Sequence, residues 1–456
     1  MSAAVAIDDD TVALLPDSST WASLVADPQR DQRCAAVRAQ LGLPTDRPIV
    51  MAGHQGQFWH AGIAVKAYAA EALAERIGGI TAWLVVDTDR NEPFEIVLPA
   101  VDAEGRLERR TLRLADNPAE RARPAMEPAR APTPVGTLAA SLPSGAWRTR
   151  LAAMSDRLAS WSSLDCAGSQ ATLAALSLLP CEAGAGPTMP RIVRASQLAG
   201  TDVFRGLVGA FGGDAARPVS SYNAAVRAVP GSGLRELGLL DGLQELPFWS
   251  APEEGLWSPA TSATVAAGVR LMPRALALTG LVRAFACDVF IHGTGGAAYE
   301  PVNDRWLPDL LGSGLAPFVT ATATLRLRFE DGGVPSAEDV ARSKWLAHRA
   351  RHQPGLLDDH EAQRARETLV ARIREAPVRS DARAELFAEL HRVLATARSA
   401  RSDRLREIDR EAAALVRRAS ERLVREDRTY PAALHDPEDL LHLRRAVRAA
   451  ILGDGT

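Results

Sequence analysis

Residues 52–66, Ala-Gly-His-Gln-Gly-Gln-Phe-Trp-His-Ala-Gly-Ile-Ala-Val-Lys, carry two of the chain's nine histidines and one of its two lysines, Lys66 and Lys344. Histidine donates hydrogen bonds to phosphate or carboxylate oxygens and moves protons near neutral pH. His54 and His60 are therefore candidates for both tasks; the competing reading is a pair of ordinary polar loop residues. On a helical wheel Lys66 falls with Ile63, Ala67, Ala70, Leu73, Ala74 and Ile77, inside an apolar stripe that excludes Glu71, Glu75 and Arg76. It also lies near the predicted helix start, where the backbone dipole opposes a cation. Such a lysine costs stability unless an anion stands beside it. That anion is a bound phosphate or carboxylate, or Asp87 or Asp89. Otherwise the stem packs and the ammonium snorkels to water.

Two further stretches bear chemistry. Asp87-Thr-Asp89-Arg-Asn91-Glu92 follows an apolar run, and acidic or amide groups there bind an amine, a hydroxyl or Mg²⁺. His54, His60, Asp87 and Asp89 also have the ligand types for a metal site. The other stretch is His292-Gly293-Thr-Gly295-Gly296-Ala-Ala-Tyr299, with Asn303 beyond it. It is neither a Walker A loop nor a clean GxGxxG. Its backbone N–H groups suit an oxyanion or phosphate, with Tyr299 and Asn303 as polar contacts; a tight turn with no ligand is the alternative. Glu245-Leu-Pro-Phe-Trp249 is an aromatic segment that either walls a pocket or packs in the core.

The elements that must position these groups read as α/β. The first 45 or so residues read as a helical lead-in. Pro48–Ala52 is a strand, residues 61–77 a helix ended by Gly78-Gly79, and Thr81–Val86 a strand buried on both faces. So short a β-α-β unit implies a parallel, right-handed crossover. Glu95–Leu114 reads as a hairpin turning at Asp102-Ala-Glu-Gly105. Residues 117–136 read as a Pro/Ala/Arg-rich excursion, and 146–161, 168–178 and 195–211 as helices. Asp288–Ile291 is a further buried strand. Two strands that end in polar, glycine-bearing loops fit one ligand crevice at the carboxyl edge of a sheet.

From about Ser336 the pattern becomes helical. Leu386, Leu390, Val393, Ala397, Ala400, Ile408, Ala412, Leu415, Ala419 and Leu423 recur at spacings that describe a coiled-coil seam interrupted by Arg404. Residues 358–376 are its expected antiparallel partner, with Pro377 at the bend. Asp436-Pro437 is an N-cap and N1 pair for a last helix. The reading is thus an α/β core over 1–335 and a helical coiled-coil domain over 336–456, either a rigid arm or a dimer handle.

Composition narrows the classes. The chain has 456 residues, 46% hydrophobic and 24% charged, with a net charge of -3. That balance gives no footprint for nucleic acid or a polybasic membrane contact. Cys34, Cys166, Cys181 and Cys287 show no zinc-like spacing. No basic leader and no membrane-length apolar run is seen, so a cytoplasmic protein with reduced thiols is expected.

In order, these landmarks resemble the BshC family, named for the cysteine-adding step of bacillithiol biosynthesis. Gly53-His54-Gln55 through Phe58, Gly62 and Lys66 resembles the family's Gly-Gln-Gln segment and its lysine. Trp83–Ile96 resembles the acidic motif, and Gly293–Tyr299 its Gly-Pro-Gly-Glu-Ile-Ala-Tyr loop. His54 stands in place of a glutamine and Gly296 in place of the glutamate. The Asp-His-Asp core of the acidic motif is not intact near Asn91. The resemblance implies a Rossmann-like core related to HxGH nucleotidyltransferases, although the two histidines here are spaced by six rather than three. It also implies a coiled-coil homodimer and a ligase that joins cysteine, or another small amine or thiol, to an acceptor such as glucosaminyl-malate. ATP or ADP is the nucleotide to be expected.

Under this reading Lys66 and His54 neutralise an anionic group. His60 moves a proton, and Asp87 or Asp89 orients an amine or acts as base. Gly53, Gln55, Asn91, His292, Gly293, Gly295, Gly296, Tyr299 and Asn303 bind substrate. Two other readings compete: a non-catalytic dimeric scaffold, and a nucleotidyltransferase with a rearranged histidine motif. Clustering of the polar groups around one pocket favours an enzyme. Their dispersal, or burial of Lys66 against a structural carboxylate, favours the scaffold.

Overall fold

The computed structural model describes residues 3–7, 10–25, 32–116, 123–134, 136–182, 189–212, 215–252 and 257–453. The chain is mixed α/β. Its largest sheet has seven strands: β1 (Ala3–Ile7), β2 (Asp10–Leu15), β3 (Ile49–Gln55), β4 (Ile80–Val86), β5 (Arg191–Arg194), β6 (Val289–His292) and β7 (Phe318–Thr324). Their order is β1-β2-β7-β6-β3-β4-β5. The run from β7 to β5 is parallel. β2 joins β7 antiparallel, and β1 joins β2.

β3 is central because Ile49, Val50, Met51 and Ala52 are all buried, as a strand covered on both faces requires. Its amino end is clamped to β6. Arg38 pairs with Asp288 at 3.0 Å, and the Ile49 N–H donates to the same carboxylate at 2.6 Å. This buried clamp sets the register that brings the other ends of β3 and β6 side by side.

Between β3 and β4 runs α1 (Ala61–Arg76), and between β6 and β7 runs α2 (Thr294–Leu311). The β3-α1-β4 unit and the hairpin Glu95–Val101 with Leu107–Arg113 lie where the sequence places them.

The lead-in differs from expectation. Val12 and Leu14 bury alternate side chains and extend the sheet as β2, although helices do form at Trp21–Leu24 and Gln32–Gln40. The helix expected over 195–211 divides into Ala195–Leu198 and Asp202–Gly212, with Gly200-Thr201 between them. Of the excursion at 117–136, residues 117–122 and 135 lie outside the described residues.

The chain forms two compact units. The first comprises Met1–Ala100, Arg109–Leu327 and Arg428–Thr456; the second comprises Val101–Glu108 and Arg328–Asp427. The last stretch therefore groups with the sheet, not with the helical region to which its composition assigned it. Within the second unit lie α3 (Ala337–Ala350), α4 (His360–Glu375), α5 (Asp381–Ala400) and α6 (Ser402–Ser420). The expected coiled-coil seam runs over two helices that break at Arg401, whose φ of -111° and ψ of 32° are not helical. Residues 360–375 consequently pair with α5, and α3 takes α6.

In the first unit, α7 (Pro437–Leu452) starts at the Asp436-Pro437 cap and buries Leu440, Leu443, Val447 and Ile451. It packs on α1, where Arg444 grips Glu71 at 2.9 and 3.1 Å. Among the described residues no helix is long and apolar enough to cross a membrane.

Candidate functional site

From β3 the chain crosses through α1 to β4 on one side; from β6 it crosses through α2 to β7 on the other. Right-handed crossovers in opposite directions put α1 and α2 on opposite faces and open a crevice between the carboxyl ends of β3 and β6. A cavity of about 880 Å³ lies there. Gly53, His54, Gln55, His60, Lys66, Asp89, His292, Gly293, Gly295, Gly296 and Tyr299 all line it. The sequence thus names most of one wall.

Lys66 is 2% exposed. Its Nζ donates to the Gly53 carbonyl at 2.5 Å and lies 5.5 Å from the Trp83 ring centroid. Neither Asp87 nor Asp89 pairs with it, nor does any other carboxylate among the described residues. Burial pushes the ammonium down to about 7, so the proton on Lys66 is loosely held. Gly53 is demanded by its neighbour: a Cβ there would stand 2.7 Å from both Cβ and O of Leu84.

His54 is pushed down to about 3, by burial first and then by the Lys66 and His60 charges. Its buried Nδ1 has no hydrogen-bond partner among the described residues. His60 is the N-cap of α1, and its Nδ1 accepts from the Gly62 N–H at 3.1 Å. Its proton therefore sits on Nε2. The helix starts at His60, capped by its own side chain, and at Gly293, without a side-chain cap, both border the cavity and favour an anion.

Three expected site residues turn elsewhere. Asp87 is buried, and its oxygens accept from the Ser196 N–H and hydroxyl, which ties the end of β4 to the turn at 195–198. Burial raises its carboxyl, and these bonds oppose that rise. Asn91 donates to the Gly56 carbonyl at 3.1 Å. Asn303 is fully buried and donates to the Leu276 carbonyl, Thr279 Oγ1 and Glu300 Oε2, so it holds α2 against the helix at 275–281. Asp89 does reach the cavity, steadied by Gln55 Nε2 at 2.8 Å.

The lining also carries a cationic patch that residue type and spacing do not mark. Arg90, Arg123, Arg274 and Arg428 line the cavity with Trp249. The Arg123 guanidinium stacks on Trp257 at 4.5 Å and lies 5.7 Å from Trp249, whose ring also faces Arg274 at 4.8 Å. Glu245, fully buried, holds Arg274 at 2.7 Å. Of the aromatic segment at 245–249, then, Trp249 walls the pocket and Glu245 anchors its arginine. In so arginine-rich a chain nothing local marks these four residues; only the tertiary stack does.

His54, His60, Asp87 and Asp89 form no group fit to hold a metal, and neither does any other set of histidine, cysteine or acidic residues among the described ones. The arrangement suits a ligand bearing more than one negative charge. No protein-family model matches the chain, and no curated protein matches it either.

Proposed function

We propose that the chain is a BshC-like ligase on a Rossmann-like core, joining a small amino acid or thiol, cysteine in the first instance, to an anionic acceptor of the glucosaminyl-malate kind. The observation that carries the reading is Lys66, a buried lysine with no carboxylate partner among the described residues, on a crevice that four arginines also line. Burial of an uncompensated cation is costly, and an anionic ligand offsets that cost. Clustering of Lys66, His54, His60, Asp89 and the 293–296 loop around one cavity supports an enzyme over a scaffold.

Lys66, His60 and the start of α1 hold one anionic group, and Arg123 and Arg274 hold a second. Asp89, the acidic side chain on the lining, orients the amine. ATP or ADP meets the helix start at Gly293–Gly296, which has no side-chain cap. The helical unit acts as a coiled-coil handle for a second copy; Trp345, Phe387 and Leu423 are exposed along it.

A thermal-shift screen of cysteine, glucosaminyl-malate, ATP and ADP tests this on wild type and Lys66→Met. A ligand at about 100 times its Kd stabilises by roughly 2.7 kcal/mol, a shift of a few degrees. Acceptor and nucleotide should shift the wild type, and the acceptor shift should vanish in the variant. If nothing shifts the wild type, or the variant shifts equally, the reading is wrong. ATP–pyrophosphate exchange without ligation would favour a nucleotidyltransferase.

A further inference from the structure

We propose that His292, held by Glu300, is the general base of this site, and that Gly296 is the gap through which it acts. The inference rests on the ligase reading above for the identity of the nucleophile. Of the other bases around the crevice, three are committed. His60 spends Nδ1 on its helix, Asp87 spends both oxygens on Ser196, and Asp89 accepts from Gln55 and from the Arg90 N–H. His54 Nδ1 has no partner among the described residues, but burial and the neighbouring cations hold it near 3, too weak a base near neutral pH. Lys66 donates to the Gly53 carbonyl.

His292 is arranged differently. Its Nε2 lies 3.1 Å from Oε1 of Glu300, nearly two turns into α2. Glu300 is fully buried, and its other oxygen meets Arg283 and, at 3.2 Å, Asn303 Nδ2. Burial alone would raise this carboxyl, but His292 and Arg283 hold it far down, so it is an ionised acceptor. The two atoms are within ion-pair distance but not in hydrogen-bond geometry; the carboxylate beside Nε2 favours the proton on that nitrogen by charge and leaves the lone pair on Nδ1. Burial keeps the imidazole below its ordinary value, opposed by Glu300 and aided by Lys66 and Arg283, so it is neutral and ready to accept. Phe290, Tyr299 and Phe318 fix the ring.

Gly296 explains why Nδ1 is open. A Cβ at 296 would lie 2.2 Å from Nδ1 and displace the ring. The glycine that departs from the family's glutamate is thus matched to the histidine at 292. In the step, the substrate amine attacks a carboxyl carbon activated as a phosphoric anhydride by a nucleoside triphosphate. The C–N bond forms, the C–O bond to phosphate breaks with its electron pair leaving on phosphate, and the amine proton passes to Nδ1. The imidazolium is stabilised by Glu300 and returns the proton to water.

The test compares wild type with His292→Gln, Glu300→Gln and Gly296→Ala in ATP-dependent ligation of cysteine to glucosaminyl-malate, read by mass spectrometry. His292→Gln should lower kcat at least ~100-fold, the lower end for a lost base, with KM changed less than about threefold. Glu300→Gln should lower kcat and move the acid limb of the pH profile to lower pH. Gly296→Ala should lower kcat about tenfold or more although alanine is the better helix former. It leaves the Arg283 anchor intact, so it carries the test if Glu300→Gln does not fold. Full activity in His292→Gln, or an unmoved pH profile in Glu300→Gln, overturns the assignment.

If the wild type makes no product, the ligase reading fails, and labelling by diethyl pyrocarbonate decides the base independently. His292 should be modified at pH 6 at least as fast as exposed His391, and about tenfold more slowly in Gly296→Ala. A His292 that stays unlabelled while His391 reacts overturns the proposal.

Discussion

Lys66 and Arg425 are 2% and 4% exposed, one in each unit of the molecule. Arg425 bonds Glu421 through Nε and Nη2 at 3.0 and 2.8 Å and Asp331 through Nη1 and Nη2 at 2.8 and 2.9 Å, and it faces the Phe329 ring at 4.8 Å. Lys66 has one carbonyl and one indole. A buried cation with its carboxylates in place stiffens a turn of the chain. A buried cation without them is relieved by a bound anion or by loss of its proton, and burial pushes Lys66 down to about 7.

The largest expected effect breaks the satisfied member. Arg425→Met leaves the carboxylate of Glu421, which is 5% exposed, with only the Leu107 N–H at 3.0 Å and Arg417 at 4.0 Å, and should cost about 3 kcal/mol in urea denaturation. A loss below ~1 kcal/mol would mean that the network is not structural.

Lys66 gives the next effect, with a distinctive sign. Its folded-state value near 7 lies below the ordinary 10.5, so between these pH values the unfolded chain binds more protons. Stability should therefore rise with pH across that window, by up to ~1.4 kcal/mol per pH unit. Chemical denaturation at pH 7, 8 and 9 should show this slope in the wild type and not in Lys66→Met. A flat wild-type profile would show that an anion of the protein already compensates the lysine.

Glu71→Gln comes third. The Glu71–Arg444 pair is 20% and 7% exposed, between the two extremes, and its loss should cost about 1–2 kcal/mol. Last, Glu338→Gln removes a pair that is 80% and 69% exposed and should leave the denaturation midpoint unchanged. A graded series supports desolvation as the variable that separates the two cations.

The legible parts of the chain are those where one cue suffices. β3, β4 and β6 are continuous apolar runs, and α1 and α7 carry explicit caps. β7 was not legible because Phe-Val-Thr-Ala-Thr-Ala-Thr buries small residues under α1 rather than a run of large ones. At the site, residue type was readable but side-chain direction was not. Asp87 and Asn303 are polar and well placed in sequence, yet they bond inward to Ser196 and Thr279. Glu300 went unnoticed because its partner Arg283 lies 17 residues away, and Arg123 and Arg274 because their indoles come from another segment.

One further consequence follows from α7 lying on α1. Glu71 meets Arg444 across 373 residues, and β2 likewise waits for β7. At ribosomal speeds of ~5–20 residues per second, α1 stays uncovered for roughly 20 to 75 seconds after it is made. Through the first part of that interval, until β6 and β7 are made, β3 and α1 show apolar surface and the crevice has only one lip. The nascent chain is thus an expected chaperone client, and a message truncated before α7 should yield aggregate rather than a smaller working protein.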